Sequence, residues 1–217
     1  MHPISLREAL MEERRAAVAM RRIIHSSTNC IDVGSHMGAA LREMTRLAPN
    51  GRHLAFETDP HKAAWLRTQF PQVVIHDCEL SDVEGARAIS LETNDDGYSA
   101  ITVATRRLDD LVPEDKLPGF IRIELTNTLH GVIQGATNIL TAQPILLLAA
   151  APDPDTLHAT TLATTLEQLR QGFGYLLVPV RDWIEEGMKP DHQSLDTLIS
   201  IASGGAGILA IPDPGSD

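Results

Sequence analysis

Long apolar runs are missing from this 217-residue chain. No stretch approaches the roughly 18 consecutive apolar residues of a membrane-spanning helix, and the charged N-terminus lacks the apolar segment of an export signal. Neither membrane spanning nor secretion is expected. Cysteine is scarce as well: Cys30 and Cys78 are the only two, and they sit at the edges of apolar runs without the spacing of a metal site or a disulfide framework. Such residues fit buried free thiols in a reducing compartment, so the expected location is cytoplasmic. Basic residues fall short of acidic ones, 18 against 29, for a formal net charge of -11. That balance repels phosphate backbones, and the densest basic group, Arg14, Arg15, Arg21 and Arg22, is interleaved with Glu8, Glu12 and Glu13 as on a solvated helix face. No nucleic-acid partner is expected.

Other absences narrow the chemistry. His2, His25, His53, His61, His158 and His192 are scattered without helical pairing to one another or to carboxylates, so no metal site is predicted. Ser26, Ser27 and Ser35 lack the context of a nucleophile elbow, which argues against a hydrolase. Trp65 and Trp183 read as packing groups or cleft wall. There is no low-complexity segment and no repeat of solenoid period.

What is present is a 43% hydrophobic chain of a length that suits one core. Ser5-x-x-Glu8 reads as a capping box, and Leu6, Leu10, Ala17, Met20 and Ile24 recur at near-helical spacing, which predicts an amphipathic helix over 5–25. A strand (29–33), a glycine turn and a helix follow. The unit then recurs, as a strand at 53–56, Asp59-Pro60 as cap and first helical residue, and a helix to about 70. A third strand is read at 73–76. Short alternating stretches at 88–91 and 101–104, around the turn 94–97, form an excursion from the main winding. Strand 120–125, helix 128–140, the strongly apolar strand 144–149, helix 156–171, strand 175–180 and strand 207–211 complete the order. Alternation of this kind predicts an α/β fold with a mostly parallel, doubly wound sheet flanked by helices.

The first strand delivers Asp32 and then Gly34-Ser35-His36-Met37-Gly38. Glycine permits positive φ and close backbone approach, so a ligand can lie against the main chain at the carboxyl edge of the sheet. The spacing is not that of a dinucleotide site, and no phosphate-loop lysine follows, so a pyrophosphate ligand is not expected. Glu57 ends the second strand 25 residues after Asp32, where a carboxylate can accept hydrogen bonds from ribose hydroxyls. His76-Asp77-Cys78 ends the third strand, where Asp77 either faces an adenine or serves as a turn or cap.

The segments CIDVGSHMG, HLAFETDP, VVIHDCELSD, RRLDDL, FIRIELTNTLHGVIQGATNIL and ILAIP resemble the FkbM-type S-adenosylmethionine-dependent methyltransferases, in order and spacing, from about Cys30 to Pro212. The resemblance implies a Rossmann-like class I methyltransferase fold with a seven-stranded sheet. It also implies S-adenosylmethionine as cofactor and methyl transfer to a hydroxyl of a small polar molecule, such as a sugar or natural-product scaffold. On it, Asp32, Gly34, Ser35, His36, Gly38, Glu57, Thr58, Asp77 and Cys78 form the cofactor set. The fourth-strand segment, normally like IKIDVEGAE, here runs Ile121 to Leu129, keeping Glu124 but placing Thr126, Asn127 and Leu129 where the family has a glutamate, a glycine and a glutamate. Glu124 is then the expected base, with His130, His36 and Asp109 behind it. Loss of the other carboxylates motivates a second expectation, a degenerate domain that binds cofactor or a protein partner without turnover. The segment 1–28 is read as a lid over the cleft or as an association surface for a second copy, and 29–217 as the methyltransferase-like domain.

Overall fold

The computed structural model describes residues 6–92, 98–126, 128–149, 158–186 and 193–215. Ser5 of the expected capping box, the turn 94–97 and Asn127 lie outside the described residues. Helix α1 (Leu6–Ile23) carries Ala16, Ala19, Met20 and Ile23 at helical spacing, and this stripe packs against the sheet. It stops two residues short of the expected end because Thr28 closes the chain back on His25: its hydroxyl accepts from the His25 N–H at 3.0 Å and its own N–H donates to the His25 carbonyl.

Then come β1 (Cys30–Val33), α2 (Ala39–Leu47), β2 (His53–Phe56), α3 (Pro60–Gln69) and β3 (Val74–His76). Asp59 begins α3, its carboxylate accepting from the His61 N–H at 2.9 Å, with Pro60 at the position where a missing N–H costs nothing. The excursion comprises β4 (Cys78–Leu80), β5 (Gly85–Glu92) and β6 (Tyr98–Arg106). Beyond it lie β7 (Phe120–Glu124), α4 (Leu129–Gln134), α5 (Thr137–Thr141), β8 (Ile145–Ala149), α6 (Ala159–Glu167), β9 (Tyr175–Pro179), α7 (Val180–Glu186), α8 (Leu195–Ser203) and β10 (Ile208–Pro212).

Seven strands form the main sheet in the order β3-β2-β1-β7-β8-β10-β9, and β4-β6-β5 form a second, smaller one. All main-sheet pairings are parallel except those of β10, which runs antiparallel to both β8 and β9. Strand alternation sorts the core onto two faces. Ile31, Ile121, Ile123, Leu146 and Leu148 face the side covered by α4, α5, α6 and α8, whereas Cys30, Phe120, Leu147 and Leu209 face α1, α2 and α7. Arg122 and Glu124 share the phase of Phe120 and so belong to the second face.

Several expected elements are corrected. The helix read over 128–140 is two short helices, because Gly131 and Gly135 bring it against the Ser81 backbone, where a Cβ on Gly135 would lie 2.1 Å from the Ser81 carbonyl oxygen. The helix read to 171 loses its regular α form after Glu167 and widens into a π turn over Gln168–Gly172. The two short stretches of the excursion are an antiparallel hairpin in register from Gly85 opposite Thr105 to Glu92 opposite Tyr98. Strand β4 and helices α7 and α8 were not anticipated.

Candidate functional site

The carboxyl ends of β1, β2 and β7 meet where the first glycine turn leaves the sheet. Gly34 and Gly38 hold φ of 81° and 72°, and His36 between them holds 46°, a left-handed conformation uncommon for a residue with a side chain. Each glycine is also required by its neighbours. A Cβ on Gly34 would lie 2.9 Å from Glu124 Oε2 and 3.0 Å from Glu124 Cβ, and one on Gly38 would lie 2.6 Å from the Phe70 ring. The Gly34 and Ser35 N–H groups donate to the Phe56 carbonyl, and the buried Ser35 hydroxyl donates to the Asp32 carbonyl at 3.1 Å. Ser35 therefore shapes the turn.

Glu57 is 5% exposed, and its two oxygens are placed by main-chain donors: Oε2 accepts from the His36 N–H at 2.7 Å and Oε1 from the Asp59 N–H at 2.9 Å. Thr58, between Glu57 and Asp59 in sequence, is half-buried. Each carboxylate oxygen has a second lone-pair direction left over, so the carboxylate can also receive hydroxyl donors.

Two pairs tie β1 and the turn after it to β7. Arg122 Nη1 donates to Asp32 Oδ1 at 2.9 Å and to the Gly34 carbonyl at 3.1 Å, while Asp32 is wholly buried and its Oδ2 has no partner among the described residues. Two residues further along β7, Glu124 meets His36, whose Nε2 lies 2.7 and 2.9 Å from the two carboxylate oxygens. The hydrogen bond to Glu124 holds the His36 imidazole above the ordinary histidine value of 6.5. His36 is thus gripped twice, by Glu57 at its backbone and by Glu124 at its ring. Eighty-eight residues separate the members of this second pair, and nothing in the local spacing signals it.

The remaining expected residues are spread more widely. Asp77 is exposed and paired with Arg67 at 2.9 Å, and the neighbouring Cys78 is buried with its thiol pushed up to about 11 by desolvation. His76, unassigned from the sequence, stacks on Phe56 with centroids 5.0 Å apart and rings 11° from parallel. Its signal was its place at the end of β3. His130 lies on α4 with Nδ1 3.1 Å from Thr165 Oγ1 of α6. Asp109 accepts from the Asn138 and Ile139 N–H groups at 3.1 and 3.0 Å, so it begins α5.

The residues at the turn suit a nucleoside-bearing cofactor. The Glu57 carboxylate is oriented and has capacity for ribose hydroxyls, and the Phe56–His76 stack and Asp77 lie one strand further along the same edge, whereas the space beside Gly34 and Gly38 is taken by Glu124 and Phe70. Among the described residues no group of three or more His, Cys, Asp and Glu side chains is placed to hold a metal ion. No helix among them is long and apolar enough to cross a membrane.

No family model matches the chain, and no curated protein is significantly similar to it in sequence. Solved structures are similar. A precorrin-6y C5,15-methyltransferase from Geobacter metallireducens is 20% identical, with 77% of this chain covering 74% of that one and a TM-score of 0.50. A Clostridium thermocellum protein described as an rRNA-methylase is 10% identical over 93% of this chain and 94% of that one, with a TM-score of 0.57. An O-methyltransferase from Bacillus cereus, solved in complex with SAH, is 12% identical over 98% and 84% respectively, with a TM-score of 0.53. At these identities the likeness is one of architecture, and it establishes that the chain has the Rossmann-like fold of these methyltransferases.

Proposed function

We propose that this protein is an S-adenosylmethionine-dependent methyltransferase of the FkbM type that methylates a hydroxyl of a small molecule. One observation carries the reading: a nucleoside-type cradle, built from the Gly34–Gly38 turn and Glu57, stands beside the acid–base pair His36–Glu124. The cofactor set is Asp32, Gly34, Ser35, His36, Gly38, Glu57 and Thr58, with Asp77 and Cys78 toward the adenine end. When bound, S-adenosylmethionine supplies an electrophilic methyl group on sulfur. Glu57 receives the ribose hydroxyls, and Gly34 and Gly38 give the turn its left-handed backbone with Glu124 and Phe70 packed against it. Glu124 takes the proton that the acceptor hydroxyl gives up as its oxygen gains the methyl group, and His36 orients that carboxylate and shares the proton. His130, the second residue of α4, is the further catalytic candidate. The excess of acidic side chains supports a small-molecule acceptor over a nucleic acid, and the two buried thiols support a cytoplasmic setting.

The substitution Glu124→Gln tests the assignment. Turnover is expected to fall about 10²- to 10⁴-fold while cofactor affinity stays within a few-fold; undiminished turnover would remove Glu124 from the mechanism. A second reading, a domain that binds without turnover, is favoured by Leu129, which occupies an acid position of the family yet is 2% exposed in the core. Segment 1–28 would then serve for association with a second copy rather than as a lid. Absence of methyl transfer across hydroxylated acceptors by a protein that binds the cofactor is the outcome that this reading expects.

A further inference from the structure

A cavity of about 670 Å³ lies between α1 and the sheet, directly behind the glycine turn. Its volume falls in the range of small-molecule sites, about 300–1,000 Å³. The walls are apolar: Ala16, Ala17 and Met20 from α1 face Leu147 on β8 and Val180 at the head of α7. Arg122 is the polar group on the sheet side. The cavity adjoins the proposed reaction site at three points. Arg122 holds the Gly34 carbonyl, Ala39 and Ala40 follow Gly38 directly, and Ala149, also in the wall, is the register partner of Glu124.

The chemistry of the occupant follows from what each polar group already has. Of the charged groups at the rim, Glu12 is paired with Arg15 and Glu43 with both Arg21 and Arg46, while Glu13 and Arg14, of opposite sign, are both exposed. Arg122 uses only Nη1, for Asp32 and Gly34; its Nε and Nη2 have no partner among the described residues. The free groups at the sheet are therefore donors, which call for an oxygen acceptor. The charge of Arg122, however, is already matched by the wholly buried Asp32. A carboxylate seated on Arg122, whose side chain is only 14% exposed, would add a negative charge with no counter-charge of its own at that wall, whereas a neutral carbonyl takes the free N–H groups at no such cost. A cation is repelled by Arg122 and finds Glu12 and Glu43 taken, and the other acid of the lining, Glu13, is exposed to solvent.

We infer that this cavity binds a largely apolar molecule with a neutral carbonyl oxygen on Arg122, a ketone, ester or lactone. On the methyltransferase reading, on which this clause rests, it is the acceptor site and narrows the acceptor to a hydroxylated carbonyl compound in place of a sugar.

The test is calorimetric titration of the full chain with three probes of one length, 2-octanone, octanoate and octylamine, alongside S-adenosylhomocysteine on the same sample. The ketone is expected to bind saturably and at least about fivefold more tightly than the carboxylate or the amine. Ala17→Phe, which fills the cavity from the helix side, should weaken the ketone at least about tenfold and leave S-adenosylhomocysteine binding within about threefold. Arg122→Lys keeps a positive partner for Asp32 but loses the planar spare donors, and should weaken the ketone several-fold even if Ala17→Phe fails to fold. Equal binding of the three probes, tighter binding of octanoate, or no binding by a sample that takes up S-adenosylhomocysteine would overturn the inference and leave the cofactor reading standing. Ketone binding by a sample that does not take up S-adenosylhomocysteine would support the ligand class and overturn its role as acceptor.

Discussion

Replacing Arg122 by methionine should destabilise the protein far more than an average substitution, and a second substitution should undo most of the loss. Asp32 is wholly buried, and Arg122 Nη1, 2.9 Å from Oδ1, is its only side-chain partner, since Oδ2 has none among the described residues. Arg122→Met leaves a carboxylate in the interior with no counter-charge, a situation that costs about 3–5 kcal/mol. For a domain of this size each kcal/mol lowers the melting temperature by roughly 2–4 °C, so a fall of roughly 6–20 °C is expected. The double variant Asp32→Asn/Arg122→Met removes both charges and fills the space with groups of similar volume; it should come back to within about 2 kcal/mol of the wild type. Urea denaturation followed by circular dichroism measures all three proteins, with equal slopes required before midpoints are compared. A single variant that loses less than about 1 kcal/mol, or a double variant no more stable than Arg122→Met, would refute the reasoning.

Gly34→Ala forces a left-handed backbone on a residue with a Cβ, at about 1–2 kcal/mol, and pushes that Cβ against the Glu124 side chain at 2.9–3.0 Å. Initial rates should therefore fall about a hundredfold through misplacement of Glu124, well beyond what the stability loss explains; rates that track only the folded fraction would contradict this. His36 is held above 6.5 by Glu124, whereas burial holds His53 and His76 below it. The stability gained at His36 is thus full below about pH 6.5 and lost as pH rises through its higher folded value, while that at His53 and His76 is lost as pH falls through about 6.5 toward their lower ones. Histidine resonances followed by NMR should give the His36 midpoint above 6.5 and drop it in Glu124→Gln, with His53 and His76 unmoved; a wild-type midpoint at or below 6.5 would count against the pair. Burial pushes Cys30 up to about 12, with Asp32 adding to it, and Cys78 up to about 11. A thiol reagent at pH 8 should accordingly label neither in the folded protein and both in denaturant, and rapid native labelling would show the core to be more open.

Much of the winding was legible because it is local. The Gly34–Gly38 turn, the Asp59-Pro60 helix start and the uniformly apolar Ile145–Ala149 strand each announce themselves over a few residues. Helix α8 also carries such a signal, with Ser194 accepting from the Thr197 N–H and Leu195, Leu198, Ile199 and Ala202 at helical spacing, although 181–203 reads as irregular when composition alone is weighed. Strand direction is different in kind. Ile208–Pro212 has the same composition whether it runs with or against β8, and its reversal follows only from how the chain returns through α8. The site was legible residue by residue but not as an arrangement. Asp32, Glu57, His36 and Glu124 could each be named, yet the pairing of His36 with Glu124 and of Asp32 with Arg122 depends on β7 lying beside β1, a non-local fact. Asp109 illustrates the converse, since an acid that reads as a possible base proves to begin a helix that lies nearly 30 residues away in sequence.

The most direct measurement is calorimetric titration of the purified protein with S-adenosylmethionine and, separately, S-adenosylhomocysteine, repeated with Glu57→Ala. The account predicts saturable binding of both ligands by the wild type and loss of both by a folded Glu57→Ala variant; a folded wild-type protein that binds neither would contradict the methyltransferase reading.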